Sequence, residues 1–136
     1  MNNDWSENMH VTQVRVARPT DQLRQVERFY CEGLGLTKIG SFTGRGYEGL
    51  LIGLPTATYH LEFTQHKDGS PCPAPTEDNL IVFYIPNQQQ IDTIIKRLGE
   101  LGYNTVPPEN PYWEKEGKTI EDPDGWRVVL MHTAGI

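Results

Sequence analysis

Two short segments hold chemically capable side chains two positions apart. Gln13 and Arg15 alternate with valines in Val11-Thr-Gln-Val-Arg-Val, and His60 and Glu62 alternate with apolar residues in Tyr59-His-Leu-Glu-Phe. On an extended strand that spacing places both members on one face. An amide, an imidazole and a carboxylate sharing a face (Gln13, His60, Glu62) form a reduced ligand set for a divalent ion. The same carboxylate, with His60 beside it, can serve as a catalytic acid or base where no cation neutralises it. Arg15 and Arg127 suit the opposite chemistry. Each can grip an anionic ligand through paired hydrogen bonds, or neutralise Glu62 as an internal ion pair. The residue types alone leave these alternatives open.

Aromatic residues add a second kind of site. Tyr112 and Trp113, in the loop Asn110-Pro-Tyr-Trp, are expected either as a lid that stacks on a flat ligand or as a plug under a long loop. Tyr47 and Phe42 can contribute from the first half of the chain, and Tyr84 and Met131 from the second. His10, His66 and His132 fall near element ends and are expected to be bystanders. Cys31 reads as a small apolar residue within a helix and Cys72 as a solvated loop residue. No serine is placed with a paired His and Asp, which argues against a hydrolase triad. Gly44-Arg45-Gly46 lacks the helix context of a phosphate loop and reads as a hairpin turn.

The elements that position these residues occur twice. Val14 and Val16 lead into an amphipathic run ending Gly33-Leu-Gly-Leu, and about 67 residues later Ile81 and Phe83 lead into a second run ending Leu98-Gly-Glu-Leu-Gly. The same offset lays Leu61 and Phe63 onto Val128 and Leu130. Such a period, occurring twice, implies two copies of a βαβββ unit. The expected strands of the first copy are 11–17, 36–42, 47–54 and 59–65. Its helix is capped by Thr20 or Asp21, carries Leu23, Val26, Phe29, Tyr30 and Leu34, and is stopped by Gly33 and Gly35. Those of the second are 80–85, 103–106, 119–121 and 126–132, with a helix bearing Ile91, Ile94, Ile95, Leu98 and Leu101. Asp122-Pro-Asp-Gly has the residue order of a type I turn. Pro55-Thr56 supplies another turn, and the proline-rich stretch 67–78 reads as a linker. The reading is α+β: one domain over 10–136, with modules 10–66 and 79–133.

Alternation also sorts faces. Val14, Val16, Leu61, Phe63, Val128 and Leu130 are expected beneath the helices. Gln13, Arg15, His60, Glu62, Arg127, Val129 and Met131, with Leu80, Val82 and Tyr84, would then line a shared cavity.

Composition narrows the classes. The chain has 136 residues, 37% of them hydrophobic, and a formal charge of −6, which suits a globular protein and argues against a nucleic-acid surface. No apolar run reaches the ~18 residues of a membrane span, and the first ten residues are polar, unlike a signal peptide. A cytoplasmic protein is expected.

"FYCEGLGL", "YHLEF" and the pattern Gly117-x-Thr-x-x-Asp-Pro-Asp-Gly125 together resemble the vicinal oxygen chelate superfamily of glyoxalase I, bleomycin-resistance proteins and extradiol dioxygenases. The wording is similar to its bacterial YycE-like branch. The resemblance implies paired βαβββ modules, often in a homodimer, around a cup-shaped site. Metal-dependent members take one ligand from the first and one from the last strand of each module. By position these fall on Gln13 and Glu62 in the first module and on Leu80 and Val129 in the second, and the 67-residue repeat gives the same correspondence. With aliphatic residues at half the set, the expected function is binding of a small anionic or aromatic molecule without a metal cofactor. A metal-dependent lyase or dioxygenase with the reduced set, and a drug-sequestering protein, are the alternatives.

Overall fold

The computed structural model describes residues 11–53, 59–70 and 73–135. His10, the Pro55-Thr56 turn and Cys72 lie outside the described residues. The first module runs β1 (Val14–Pro19), α1 (Leu23–Glu27, continuing as a π-helical stretch Arg28–Gly33), β2 (Thr37–Gly44), β3 (Tyr47–Gly53) and β4 (Tyr59–His66). The second runs β5 (Leu80–Tyr84), α2 (Gln88–Glu100), β6 (Thr105–Val106), a 3-10 turn (Pro111–Trp113), β7 (Gly117–Glu121) and β8 (Arg127–Met131). They form two four-stranded mixed sheets, ordered β1-β4-β3-β2 and β5-β8-β7-β6. The duplicated α+β architecture expected from the repeat is present.

Local chemistry accounts for the helices. In α1 and its extension, Leu23, Val26, Phe29, Tyr30 and Leu34 are all buried. The π turn closes with a bond from Leu34 N–H to the Phe29 carbonyl (3.0 Å), and Gly35, at φ +88°, ends the run. Its start departs from the expected simple cap. The Thr20 hydroxyl accepts from Gln22 N–H (3.0 Å), while Leu23 N–H is taken by the Gln65 side chain of β4 (3.0 Å). In α2, Asn87 caps the first turn, accepting from the N–H groups of Gln89 (2.8 Å) and Gln90 (3.2 Å). Asp122-Pro-Asp-Gly turns as expected: Gly125 N–H bonds the Asp122 carbonyl (2.9 Å), and the Asp122 side chain accepts from the N–H groups of Asp124 and Trp126.

The modules join along their helices. A methyl group on Gly33 would lie 2.3 Å from Cδ2 of the fully buried Leu98, so α2 would have to shift to admit any side chain there. Arg97 of α2 donates to the carbonyls of Gly33 (3.1 Å) and Leu34 (3.3 Å), satisfying the free end of the first helix. One apolar cluster spans both halves, including Phe29, Phe63, Leu98, Ile120 and Val128.

A buried polar knot sits at the same junction. Arg18 Nη2 donates to the Tyr30 hydroxyl (2.8 Å), which donates to Asp122 Oδ2 (2.7 Å), and Arg18 lies 3.6 Å from the same carboxylate. The guanidinium stacks over the Trp126 ring, 4.4 Å from its centroid. Burial pushes the Tyr30 hydroxyl well above the ordinary tyrosine range, reinforced by the Asp122 charge. Burial likewise raises the Asp122 carboxyl, opposed by the Tyr30 hydrogen bond, the Arg18 charge and the two backbone N–H groups.

Two expectations need correction. Val14 and Val16 share the helix-side face with Leu61 and Phe63 but stay 50% and 51% exposed, because they lie on an edge strand that the short α1 does not cover. The repeat is also not in uniform register. Val14 pairs with Tyr59, 45 residues on, whereas Leu80 pairs with Arg127, 47 residues on. By strand pairing, therefore, Leu80 corresponds to Arg15 rather than to Gln13.

Candidate functional site

The pairings arrange the outer face of sheet one in cross-strand rows. Arg15, His60 and Gly53 form one row; Ala17, Glu62, Leu51 and Gly40 the next; Thr64, Gly49 and Phe42 the third; His66, Tyr47 and Gly44 the last. Arg15 Nη1 donates to Glu62 Oε1 at 3.3 Å, diagonally between rows, with 43% of the arginine side chain and 16% of the glutamate side chain exposed. His60 packs against Gly53, and its Nδ1 is buried without a hydrogen-bond partner among the described residues. Phe42 lies across Gly49 on the same face. Tyr47 stacks edge-on against His66, with ring centroids 4.7 Å apart. Gln13 is exposed and lies just before β1.

Sheet two presents a different face. Val129 and Met131 are buried at 0% and 5% exposure. Gly117, beside them, has the Trp113 carbonyl oxygen 2.4 Å from where a Cβ would sit, so the loop 107–116 packs back on its own sheet. Arg127 is not paired with Glu62. Its guanidinium donates to Glu121 (2.9 Å), Glu77 (3.2 Å) and the Pro107 carbonyl (2.9 Å), and the residue is only 5% exposed. Beneath the same loop, the Thr119 hydroxyl is buried without a partner among the described residues. Of the two loop aromatics, Trp113 is half-buried and Tyr112 is 63% exposed. Tyr84 lies elsewhere, lining with Tyr59, Val82 and Ile85 a cleft of ≈ 370 Å³ that both modules border.

The candidate residues therefore fall into separate groups. Arg15, His60 and Glu62, with Tyr47 near the far end, share sheet one. Arg127, Met131 and Trp113 belong to the packing of sheet two.

The donors do not fit a divalent ion. By register, the first-strand position of sheet one holds a guanidinium already paired with Glu62, and the matching positions of sheet two are Leu80 and Val129. Among the described residues no three His, Cys, Asp or Glu side chains converge to hold a metal. A cation there would face the Arg15 charge and lack ligands. The Arg15–Glu62 pair instead offers a hydrogen-bond donor and acceptor side by side. Cys31, half-buried on the first helix, has its thiol pushed up by burial and then by the Glu27 charge, which disfavours a thiolate nucleophile.

The reading from residue types missed the Arg18–Tyr30–Asp122–Trp126 knot. A signal existed: Arg18 continues the apolar face of β1 in phase with Val14 and Val16, and a cation there requires a buried partner. For Phe42 no such signal exists, because nothing local reveals what lies across from Gly49.

Comparison with known proteins agrees with this frame. Residues 14–64 match the model of the YycE-like N-terminal domain and residues 78–132 that of the YycE-like C-terminal domain. The chain is 54% identical over 125 residues to the protein YycE of Bacillus subtilis (strain 168), covering 91% of this chain and 90% of that one. The crystal structure of YycE from Bacillus subtilis, a protein of unknown function grouped with glyoxalase and fosfomycin resistance proteins, superimposes with a TM-score of 0.89 over 95% of each chain. More distant structures share the fold alone. The trypanothione-dependent glyoxalase I of Leishmania major is 14% identical with a TM-score of 0.69, covering 88% of this chain and 84% of that one. The antibiotic-binding protein TnmS3 of Streptomyces sp. CB03234 is 21% identical with a TM-score of 0.65, covering 90% and 97%. By sequence along nearly its whole length and by its paired βαβββ sheets, the chain belongs to the YycE-like branch of the vicinal oxygen chelate superfamily.

Proposed function

We propose that this protein binds a small molecule, anionic or aromatic, on the outer face of sheet one, and does so without a bound divalent ion. One observation carries the reading: the polar cluster Arg15–Glu62–His60 stands partly open on sheet one, while the corresponding residues of sheet two are aliphatic or locked in internal ion pairs. Of the family's metal positions, those of sheet two are Leu80 and Val129, and the carboxylate at Glu62 is paired with Arg15 rather than left open for a cation. With Arg15 paired to Glu62 the carboxylate serves as a binding group, and His60 is the group left to move a proton should the bound molecule react.

The test is a thermal-shift screen of small carboxylates and aromatic compounds, run alongside Mn²⁺, Ni²⁺, Zn²⁺ and Mg²⁺. The expected result is stabilisation by an organic ligand, lost in Arg15→Met, with no response to the metals. A metal-induced rise that Glu62→Gln abolishes would overturn the reading in favour of a metal-dependent lyase or dioxygenase.

The protein acts as a homodimer in this reading. Val14, Val16 and Tyr59 form an exposed apolar strip on the helix side of sheet one, beside an edge of β1 that no other described strand pairs with. A second copy covering that strip leaves the opposite face free for ligand. Light scattering should give twice the chain mass for the native protein and the single mass for Val16→Glu; a monomeric native protein would refute the dimer.

A further inference from the structure

The site reading above leaves the ligand's chemistry open, and two features of the sheet-one face narrow it. The first is Phe42. A Cβ on Gly49 would sit 2.0 Å from Phe42 Cε2 and 2.1 Å from Cζ, so the end of the ring reaches over β3 into the space that a side chain would otherwise fill. Gly49 is paired with Phe42 on one side and with Thr64 on the other, which places the ring toward the middle of the face. Phe42 remains 41% exposed, so part of the residue over the sheet stays open to solvent. Flat rings are matched by other flat rings, in offset geometry.

The second feature is the Arg15–Glu62 pair. It is half-open, and an exposed pair of this kind contributes only about 0–1 kcal/mol to stability. A ligand can enter it at small cost. A simple anion would gain Arg15 but would meet the Glu62 carboxylate, and a simple cation would meet the reverse. Only a ligand carrying an acceptor and a donor close together satisfies both charges.

Glu62 is one strand over from Gly49 and two residues along in register. With strands ~4.8 Å apart and ~3.4 Å per residue, the two features are about 8 Å apart. An offset-stacked ring on a one- or two-carbon arm spans that separation.

We propose that the ligand is a planar aryl compound bearing adjacent cationic and anionic groups, for which an aromatic α-amino acid is the simplest form. Phe42, seated over Gly49, determines specificity for the ring, and Arg15 and Glu62 take the carboxylate and the ammonium group. This rests on the binding reading above and names its ligand class.

The experiment is an NMR titration of the ¹⁵N-labelled full chain, following the amides of Phe42, Gly49, Glu62 and Thr64. Four probes separate the terms: L-phenylalanine, 3-phenylpropanoate, 2-phenylethylamine and L-cyclohexylalanine. Phenylalanine is expected to bind at least fivefold tighter than each of the other three. Phe42→Leu, which keeps an apolar group of similar bulk, should erase its advantage over cyclohexylalanine. Gly49→Ala, which forces the ring to lift, should weaken phenylalanine by a similar factor. Equal binding of cyclohexylalanine, or indifference to Phe42→Leu, would overturn the stacking role. Equal binding of phenylpropanoate would overturn the amphoteric part while leaving an anion-binding face intact. If none of the four moves these amides while another compound from the thermal screen does, this ligand class is wrong and the binding site stands. If no compound from either experiment moves them, both fail together.

Discussion

Replacing Tyr30 with Phe removes one oxygen and leaves the ring where it packs. That oxygen accepts from Arg18 Nη2 at 2.8 Å and donates to Asp122 Oδ2 at 2.7 Å, and both partners are buried and charged. Hydrogen bonds to charged groups contribute about 1.5–3 kcal/mol each, and two that share an atom do not add fully, so a loss of about 2–4 kcal/mol is expected. For a chain of this length that corresponds to a melting temperature lower by roughly 10 °C. The deficit should also depend on pH. Burial holds the Asp122 carboxyl above its ordinary range, so the folded protein binds that proton more tightly than the unfolded chain does. Stability from this group is complete below the unfolded carboxyl value and falls as pH rises through the folded one. The Tyr30 hydrogen bond pulls the folded value down; without it the value climbs and the loss on raising pH is greater. Urea unfolding at pH 4 and pH 7, with the exposed Tyr112→Phe as control, reads both effects. A Tyr30→Phe protein within 0.5 kcal/mol of native at pH 7, or equally destabilised at both pH values, would refute the account of the knot.

Gly33→Ala drives a methyl group into Leu98 Cδ2 and should cost about 1–3 kcal/mol in chemical unfolding, since both helices are fixed at that contact. Asn87→Ala strips two N–H groups of their acceptor and should cost about 1 kcal/mol by the same assay. Arg15→Met, by contrast, should change stability by less than about 1 kcal/mol, because its ion pair is half-open; a larger loss would mark Arg15 as part of the scaffold rather than of the site.

Alternation proved a good guide to faces and a poor one to register and cover. Arg15, His60 and Glu62 share a face as their spacing predicts, yet the 67-residue repeat misaligned β1 with β5 by two positions. A shift of two preserves every side chain's face, so no hydrophobic pattern can detect it. The displaced counterpart of Leu80 changes from an amide to a guanidinium, which alters the chemistry assigned to the site. Val14 and Val16 show the other limit: period two says which way a residue points, not whether anything lies over it. The loop over sheet two was legible only as a choice between lid and plug, and the partners of Arg127 beneath it were not legible, for a related reason. Arg127 looks like a ligand-gripping residue until Pro107 and Glu77, remote in sequence, are found against it.

The links that bind one half to the other govern how this protein can be made. A ribosome finishes sheet one at His66, while Gln22, Tyr30 and Gly33 wait for partners 102, 92 and 64 residues further along the chain. At ordinary synthesis rates the lag to Asp122 is on the order of several seconds. During that interval the nascent first half exposes a tyrosine hydroxyl, a cation and a glycine-lined helix flank that the finished protein hides. Aggregation should therefore threaten this chain most during translation, and slowing synthesis between the halves should lower the yield of soluble protein more than slowing it after Asp122.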